Sequence, residues 1–237
     1  MADRFTSAII VAAGDSTRMG YKMSKQLIPL NGRPAIEYTL KAFQSCPQID
    51  EIIVVARPID IEDIAHIAFT FRKVSAVTAG GSTRLASVRK GIHAADKRVT
   101  HYAIHDGARV LITPKQISLA VNAAFECGAA ALGTPVTDTV KVVDENGIIL
   151  STPDRSTMWA VQTPQVFEKD LYKRAMGSAI MSSLEVTDDC SLVEAIGEKV
   201  RIVRGEYSNL KLTTPVDITL AEALLSKRKK KTGPTAG

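Results

Sequence analysis

Two stretches of this 237-residue chain combine residue types able to handle a phosphorylated ligand. In the first, Ser7 to Lys25, the apolar run Ala8-Ile9-Ile10-Val11-Ala12-Ala13 leads into Gly14-Asp15-Ser16-Thr17, and Arg18 and Lys25 follow. Glycine and small polar residues after a strand leave backbone N–H groups open to phosphate oxygens, and the two cations add charge. In the second, Asp106 follows the apolar Tyr102-Ala103-Ile104 and begins a loop. A nucleoside triphosphate carries Mg2+ on carboxylate and phosphate oxygens rather than in an all-protein cage, so one well-placed Asp is enough to anchor the ion.

Several other chemistries are excluded by what is missing. No Gly-Lys-Ser/Thr of a Walker A loop occurs, and neither the three glycines of a dinucleotide fingerprint nor its later acidic residue is present, which speaks against a dehydrogenase. His66, His93, His101 and His105 show no metal-binding spacing, and the serines form no nucleophile elbow. Cys46, Cys127 and Cys190 are far apart and never in CxxC spacing, so buried thiols in a reducing compartment are expected rather than disulfides or a zinc site.

The elements that must position these residues alternate regularly. After the first strand, Ile36, Leu40 and Phe43 at helical spacing predict a helix over Pro34 to Gln44, and Glu51 to Ala56 is the second strand. Pro58 to Thr70 reads as a helix and Val74 to Thr78 as a strand ending at Ala79-Gly80-Gly81, where glycines again follow a strand. Ser82 or Thr83 can cap the helix carrying Arg84, Ser87, Val88 and Ile92. Pro114 to Cys127 is a helix stopped by Gly128, and Ala129 to Leu132 is a further strand. This order predicts an α/β fold: a Rossmann-like, mostly parallel twisted sheet with helices on both faces.

The alternation breaks at Thr137, where two strand-like arms flank Asn146-Gly147 and predict a protruding β-hairpin. A lone ribbon is not stable in water and must pack on its own domain or on a second subunit. Beyond it, Met158 to Gln165 reads as the return to the core and Glu168 to Met176 as a helix. Thr187-Asp188-Asp189 can cap a helix through Ser191 to Ala195, Val200 to Val203 is a late strand, and Pro215 to Leu225 is the closing helix. One domain over residues 1–225 is expected, with the arm at about 137–157.

The formal net charge of +5 is a property of the end of the chain. Without Lys227, Arg228, Lys229, Lys230 and Lys231 the chain carries 25 basic and 25 acidic residues, so no nucleic-acid partner is expected, and 226–237 reads as a basic disordered tail. No apolar stretch approaches the roughly 20 residues that span a bilayer, and no charged-then-apolar leader opens the chain, so no membrane partner and a cytoplasmic location are expected.

The loop string from Ala12-Ala13-Gly14 through Arg18-Met19-Gly20 to Ser24-Lys25-Gln26 resembles the signature of nucleotidyltransferases that join a nucleoside triphosphate to a sugar or polyol phosphate. His105-Asp106-Gly107-Ala108-Arg109 is similar to the His-Asp-Ala-Ala-Arg-Pro motif of the cytidylyltransferases acting on 2-C-methyl-D-erythritol 4-phosphate. That family's other landmarks follow in order: Gly80-Gly81 with Arg84 and Ser87, Pro135 to Thr139, Asp154-Arg155, Gln162 to Gln165, Thr187-Asp188, and Asn209-Leu210-Lys211 before Thr213-Thr214-Pro215. Together they span residues 7 to about 225. Two departures stand out: Gly107 and Val110 replace the usual Ala and Pro, which would loosen the loop after Asp106, and Met23-Ser24 precede Lys25 where a Cys-Pro pair is common.

The resemblance implies that Ala13, Gly14, Gly81 and Ser87 form the CTP site, the last two near the base. Arg18, Lys25 and Lys211 would stabilise the pentavalent α-phosphate, and Asp106 would hold Mg2+. Arg109, Thr139, Arg155 and Thr163 would receive the polyol phosphate. The hairpin around Asn146 would be an arm exchanged in a homodimer, with Arg155 serving the partner's site. The implied reaction is transfer of CMP from CTP to 2-C-methyl-D-erythritol 4-phosphate, in non-mevalonate isoprenoid precursor synthesis. The nearest alternative is the related enzyme acting on ribitol 5-phosphate, from which Asp154-Arg155-Ser156-Thr157-Met158-Trp159 points away. A non-catalytic nucleotide sensor is the other alternative, and it has no need for cations on an α-phosphate.

Overall fold

The apolar run at the start of the chain forms β1 (Thr6–Ala12), an interior strand of a seven-stranded sheet, in a computed structural model that describes residues 4–14, 24–182, 184 and 186–232. There follow β2 (Pro29–Leu30), β3 (Arg33–Pro34), α1 (Ala35–Gln44), β4 (Glu51–Ala56), α2 (Ile61–Ala68), β5 (Val74–Ala79), α3 (Arg84–Ala94), β6 (His101–Asp106), α4 (Pro114–Cys127) and β7 (Ala129–Pro135). The second half comprises β8 (Val142–Val143), β9 (Ile149–Ser151), β10 (Trp159–Glu168), α5 (Lys169–Met181), α6 (Cys190–Ala195), β11 (Arg201–Arg204) and α7 (Pro215–Thr232). The large sheet has the order β11-β7-β10-β6-β1-β4-β5. Every pairing in it is parallel except the two made by β10, which is antiparallel to both β6 and β7.

Strand periodicity divides the core between the two faces of the sheet. Ala8 and Ile10 of β1 point to a layer built with Leu40 and Phe43 of α1 and Ile117 of α4, while Ile9 points to the layer of Val88 from α3 and Tyr172 from α5. Both faces of β1 are therefore covered, as its unbroken apolar run requires. α3 approaches the sheet closely at Gly91, where a Cβ would lie 2.6 Å from Ile9 Cγ2 and 2.8 Å from Val55 Cγ2. Both neighbours are stiff β-branched side chains, so no easy rotamer change opens space.

Three elements depart from expectation. Met158 to Gln165, read as the return to the core with no element assigned, lies almost wholly in a long strand: Trp159–Glu168 is β10, inserted between β7 and β6. Its apolar alternation is interrupted by Gln162-Thr163-Pro164-Gln165, whose polar side chains are buried and paired inside the protein. A second hairpin joins β2 to β3 at Asn31-Gly32, both with positive φ, the mirror-type turn that an Asn-Gly pair favours. The closing helix α7 continues from Leu225 to Thr232, so residues 226–232 are helical and not the disordered tail expected. Lys and Arg are good helix formers, and positive charge complements the carboxyl-terminal end of a helix dipole. The Asn146-Gly147 hairpin is present but short, its turn closed by Asp144 Oδ1 accepting from the N–H groups of Asn146 and Ile148. Among the described residues no helix is long and apolar enough to cross a membrane.

Replacing Gly91 by Ala trades a helix-propensity gain of about 1 kcal/mol against overpacking of about 1–3 kcal/mol. Gly91→Val adds branching and should lower unfolding free energy by more than Gly91→Ala in urea titrations. Unchanged or raised stability of the Val variant would mean that α3 is free to move off the sheet.

Candidate functional site

The carboxyl ends of four parallel strands surround one cavity of about 630 Å³. β1 contributes Val11 and, just beyond it, Ala13 and Gly14; the segment after β4 gives Arg57, Pro58 and Ile59; the turn after β5 gives Gly81, Ser82 and Thr83; β6 ends in Asp106. Arg84 and Ser87 enter from the first turns of α3, and Lys211 from the loop before α7. Open α/β sheets bind ligands at this end because the loops there converge while the strands stay rigid.

Local chemistry explains the walls. Thr83 caps α3 by accepting from the Ala86 N–H, the role expected of Ser82 or Thr83. Ser87 lies on the next turn, where its hydroxyl accepts from the Gly81 N–H at 3.0 Å and donates to the Thr83 carbonyl at 2.9 Å. The hydroxyl thus fixes the shape of the Gly81 turn. The loop after Asp106 is tight, contrary to the loosening expected from Gly107. Gly107 donates its N–H to the Val11 carbonyl at 2.9 Å and accepts from the Thr39 hydroxyl at 3.1 Å, and a Cβ there would press at 3.1 Å on Gln26 and Ile36. Here glycine permits close packing instead of flexibility.

Asp106 is the only carboxylate among the described residues lining the cavity, and it is 8 % exposed. Its Oδ2 meets Lys211 Nζ at 2.9 Å and Arg109 Nε at 3.7 Å, and its Oδ1 meets Arg84 NH2 at 3.5 Å. Burial alone would push the carboxyl up, but Lys211, Arg84 and Arg109 together hold it well below the ordinary carboxylate range. Asp106 is therefore ionised at neutral pH, with cations in excess around it. Arg57, Arg84 and Lys211 against a single carboxylate make the described lining positive, suited to an anion.

Segments distant in sequence stitch this centre together. The Asp106 backbone N–H donates to Thr163 Oγ1 at 3.1 Å, and that hydroxyl also meets His105 Nδ1 at 3.0 Å. His105 Nε2 faces the Arg109 carbonyl at 3.4 Å. A carbonyl only accepts, so Nε2 carries the proton and the Thr163 hydroxyl donates to Nδ1. Full burial depresses His105 to about 3, which keeps the ring neutral. Arg109 NH1 donates to the Asn209 carbonyl at 2.8 Å, Asn209 Nδ2 donates to the Thr163 carbonyl at 3.0 Å, and the Leu212 N–H donates to the Ala108 carbonyl at 2.9 Å. The loop carrying Lys211 is thereby tied to both β10 and the Asp106 loop.

Of the residues singled out from the sequence, Ala13, Gly14, Gly81, Ser87, Asp106 and Lys211 come together in the lining. Arg109 stands behind Asp106, and Thr163 supports it from β10. Lys25 is buried in the turn that leads to β2 and is not among the lining residues. Thr139 and Arg155 lie exposed at the base of the arm, where Arg155 NH1 donates to the Thr137 carbonyl at 2.7 Å. Arg18 lies outside the described residues. Two roles were not visible in the sequence. Asp189 caps nothing with its side chain; Asp188 accepts from Ser191 instead, and Asp189 pairs with Arg84. Arg57, held by Asp60, joins the rim with no motif to announce it.

For a metal, no group of three or more His, Cys, Asp or Glu side chains is arranged as a binding site among the described residues. One hard, ionised carboxylate at the cavity wall fits Mg2+ carried largely by the oxygens of a phosphorylated ligand.

Comparison with known proteins gives a consistent picture. The family model described as 2-C-methyl-D-erythritol 4-phosphate cytidylyltransferase matches residues 6–227. A protein of that name from Caldanaerobacter subterraneus subsp. tengcongensis is 46% identical over 224 residues, 93% of this chain and 99% of that protein. The crystal structure of a 4-diphosphocytidyl-2C-methyl-D-erythritol synthase from Anaerococcus prevotii is similar with TM-score 0.85 at 36% identity, covering 94% of this chain and 96% of the other. The cytidylyltransferase structure from Thermus thermophilus gives TM-score 0.76 at 30% identity, covering 92% of this chain and 98% of the other.

Because His105 is depressed in the folded protein, the unfolded chain takes up a proton at this ring as pH falls below about 6.5 while the folded protein does not, until about pH 3. Over that window the group removes up to about 1.4 kcal/mol of stability per pH unit. Unfolding free energies of the wild type and His105→Gln between pH 7 and 4.5 should therefore converge as pH falls. Parallel curves would show that His105 titrates normally.

Proposed function

Given that the chain belongs to the 2-C-methyl-D-erythritol 4-phosphate cytidylyltransferase family, we propose that it transfers the cytidylyl group of CTP to the phosphate of 2-C-methyl-D-erythritol 4-phosphate and releases pyrophosphate. In this reaction a phosphate oxygen of the acceptor forms a new bond to the α-phosphorus as the bond to the β-phosphate bridge breaks. The attacking oxygen is already ionised, so no side chain has to remove a proton. What the protein must supply is alignment and neutralisation of charge.

The observation that carries this reading is the ionised Asp106 among Lys211, Arg84 and Arg109 at the mouth of the sheet. Lys211 reaches the cavity with a side chain 38% exposed, so its ammonium can follow charge that builds on the α-phosphate. Asp106 would hold a divalent cation, which when bound neutralises phosphate oxygens. Arg18 and Lys25 would act on the same phosphate, and Ala13, Gly14, Gly81 and Ser87 would enclose the nucleotide. Arg109 and Thr163 would face the polyol phosphate from behind Asp106.

We further propose a cytoplasmic homodimer formed through the arm. Val142, Val143, Ile148, Ile149 and Leu150 are 44–64% exposed, an apolar ribbon that favours cover by a second copy. The positions of Thr139 and Arg155 at the arm's base agree with a site completed across such an interface.

Pyrophosphate release from CTP should require 2-C-methyl-D-erythritol 4-phosphate, and ribitol 5-phosphate should not replace it; turnover with ribitol 5-phosphate alone would overturn the assignment. Lys211→Ala should lower kcat about 100-fold or more while CTP affinity stays within about tenfold, as for a donor used in the transition state. Equal losses in both would place Lys211 in ground-state binding.

A further inference from the structure

Arg84 stands between two carboxylates, and the two contacts are unequal. Its NH1 donates to Asp189 Oδ2 in a short, direct contact, whereas its NH2 reaches Asp106 Oδ1 only at 3.5 Å, the outer limit of a hydrogen bond. Asp189 is built to keep this hold. It is 2% exposed, its Oδ1 accepts from the Tyr172 hydroxyl at 2.5 Å, and its backbone N–H donates to Gln165 Oε1 at 3.0 Å. Tyr172 is fully buried and stacks on Phe167 with ring centroids 4.9 Å apart, so its hydroxyl has little room to move. Asp189 stands immediately before α6, at the cap position where a carboxylate ordinarily bonds the first turn, yet its side chain makes no cap bond. A buried carboxylate that neglects its own helix in favour of a cavity arginine is costly to keep unless the pairing matters.

The consequence falls on Asp106. Lys211 and Arg109 both approach Oδ2, which among the described residues leaves Oδ1 with the distant Arg84 contact. Asp106 is also the only acidic lining residue among those described. If Arg84 were free to close the remaining distance, its guanidinium would occupy Oδ1 and add its positive charge where a divalent cation must come.

We propose that Asp189 and Tyr172 are positioning residues that hold Arg84 back from Asp106, keeping Oδ1 open to the divalent cation that accompanies the nucleotide. This rests on the reading that Asp106 is the metal ligand. Arg84 is the movable member, Asp189 the counter-charge and Tyr172 the brace.

The test is Mn2+ binding in the presence of the non-cleavable α,β-methylene analogue of CTP, followed by loss of the free Mn2+ resonance, with melting temperatures recorded for every variant. Asp189→Asn should weaken Mn2+ binding by about tenfold, one hydrogen bond's worth of released Arg84 acting on Oδ1. Tyr172→Phe should weaken it about two- to threefold by the same route. Removing the released arginine, in Arg84→Met combined with Asp189→Asn, should restore much of the binding that Asp189→Asn loses. A purely structural role would lower melting temperatures without this rescue. Should Asp189→Asn fail to fold, Tyr172→Phe alone decides: binding within the error of the wild type overturns the proposal. Unchanged binding in Asp189→Asn, or no recovery in the double variant, also overturns it. Asp106→Ala separates the two levels. If it abolishes Mn2+ binding while Asp189→Asn leaves it intact, only the positioning role falls; if Asp106→Ala binds Mn2+ like the wild type, the metal assignment and the positioning role fall together.

Discussion

A carboxylate removed from water loses several kcal/mol of hydration, and only cations placed with good geometry return it. Asp106 is in that position, and Lys211, Arg84 and Arg109 reach it from three separate parts of the chain. Each contact imposes an order on the fold. β6 must end at Asp106, α3 must begin at Arg84, and the loop before α7 must lie across the carboxyl ends of the strands. The cluster ties these segments together and leaves the cavity positive, because the cations outnumber the charge they meet.

β10 is the element that allows this arrangement. An antiparallel strand between two parallel neighbours brings Thr163 beneath Asp106, Gln165 beside Asp188 and Asp189, and Gln162 against the Asn209 segment. A buried polar group without a partner is expensive, so these side chains fix register where apolar packing would tolerate slippage. The same strand emerges from the arm, which connects the cavity end of the sheet with the surface proposed for dimerisation.

Features set by neighbouring residues were legible in the sequence. α4 runs from Pro114 to Cys127 and stops at Gly128 as read from the sequence, because a left-handed glycine is a local event; the Thr113 cap that starts it is equally local. β1 and β4 were legible because strands buried on both faces read as unbroken apolar runs. β10 was obscured, since Gln-Thr-Pro-Gln gives no apolar alternation and its partners lie far away in sequence. Thr187-Asp188-Asp189 was read as a cap for α6, and Asp188 does bond Ser191, but Asp189 pairs with Arg84, 105 residues away. The length of α7 was missed because a basic run was judged by composition alone, without regard to the helix that leads into it. The landmarks of the candidate site were legible through family resemblance, but their unequal hold on Asp106 is a matter of distances that no residue string contains.

A crystal structure with CTP and Mg2+ decides whether this cavity is the nucleotide site. The triphosphate should lie at the ends of β1, β5 and β6, with the metal bound to Asp106 Oδ1 and Lys211 directed to the α-phosphate while Arg84 remains on Asp189. A nucleotide bound elsewhere, or a metal held without Asp106, would contradict that assignment.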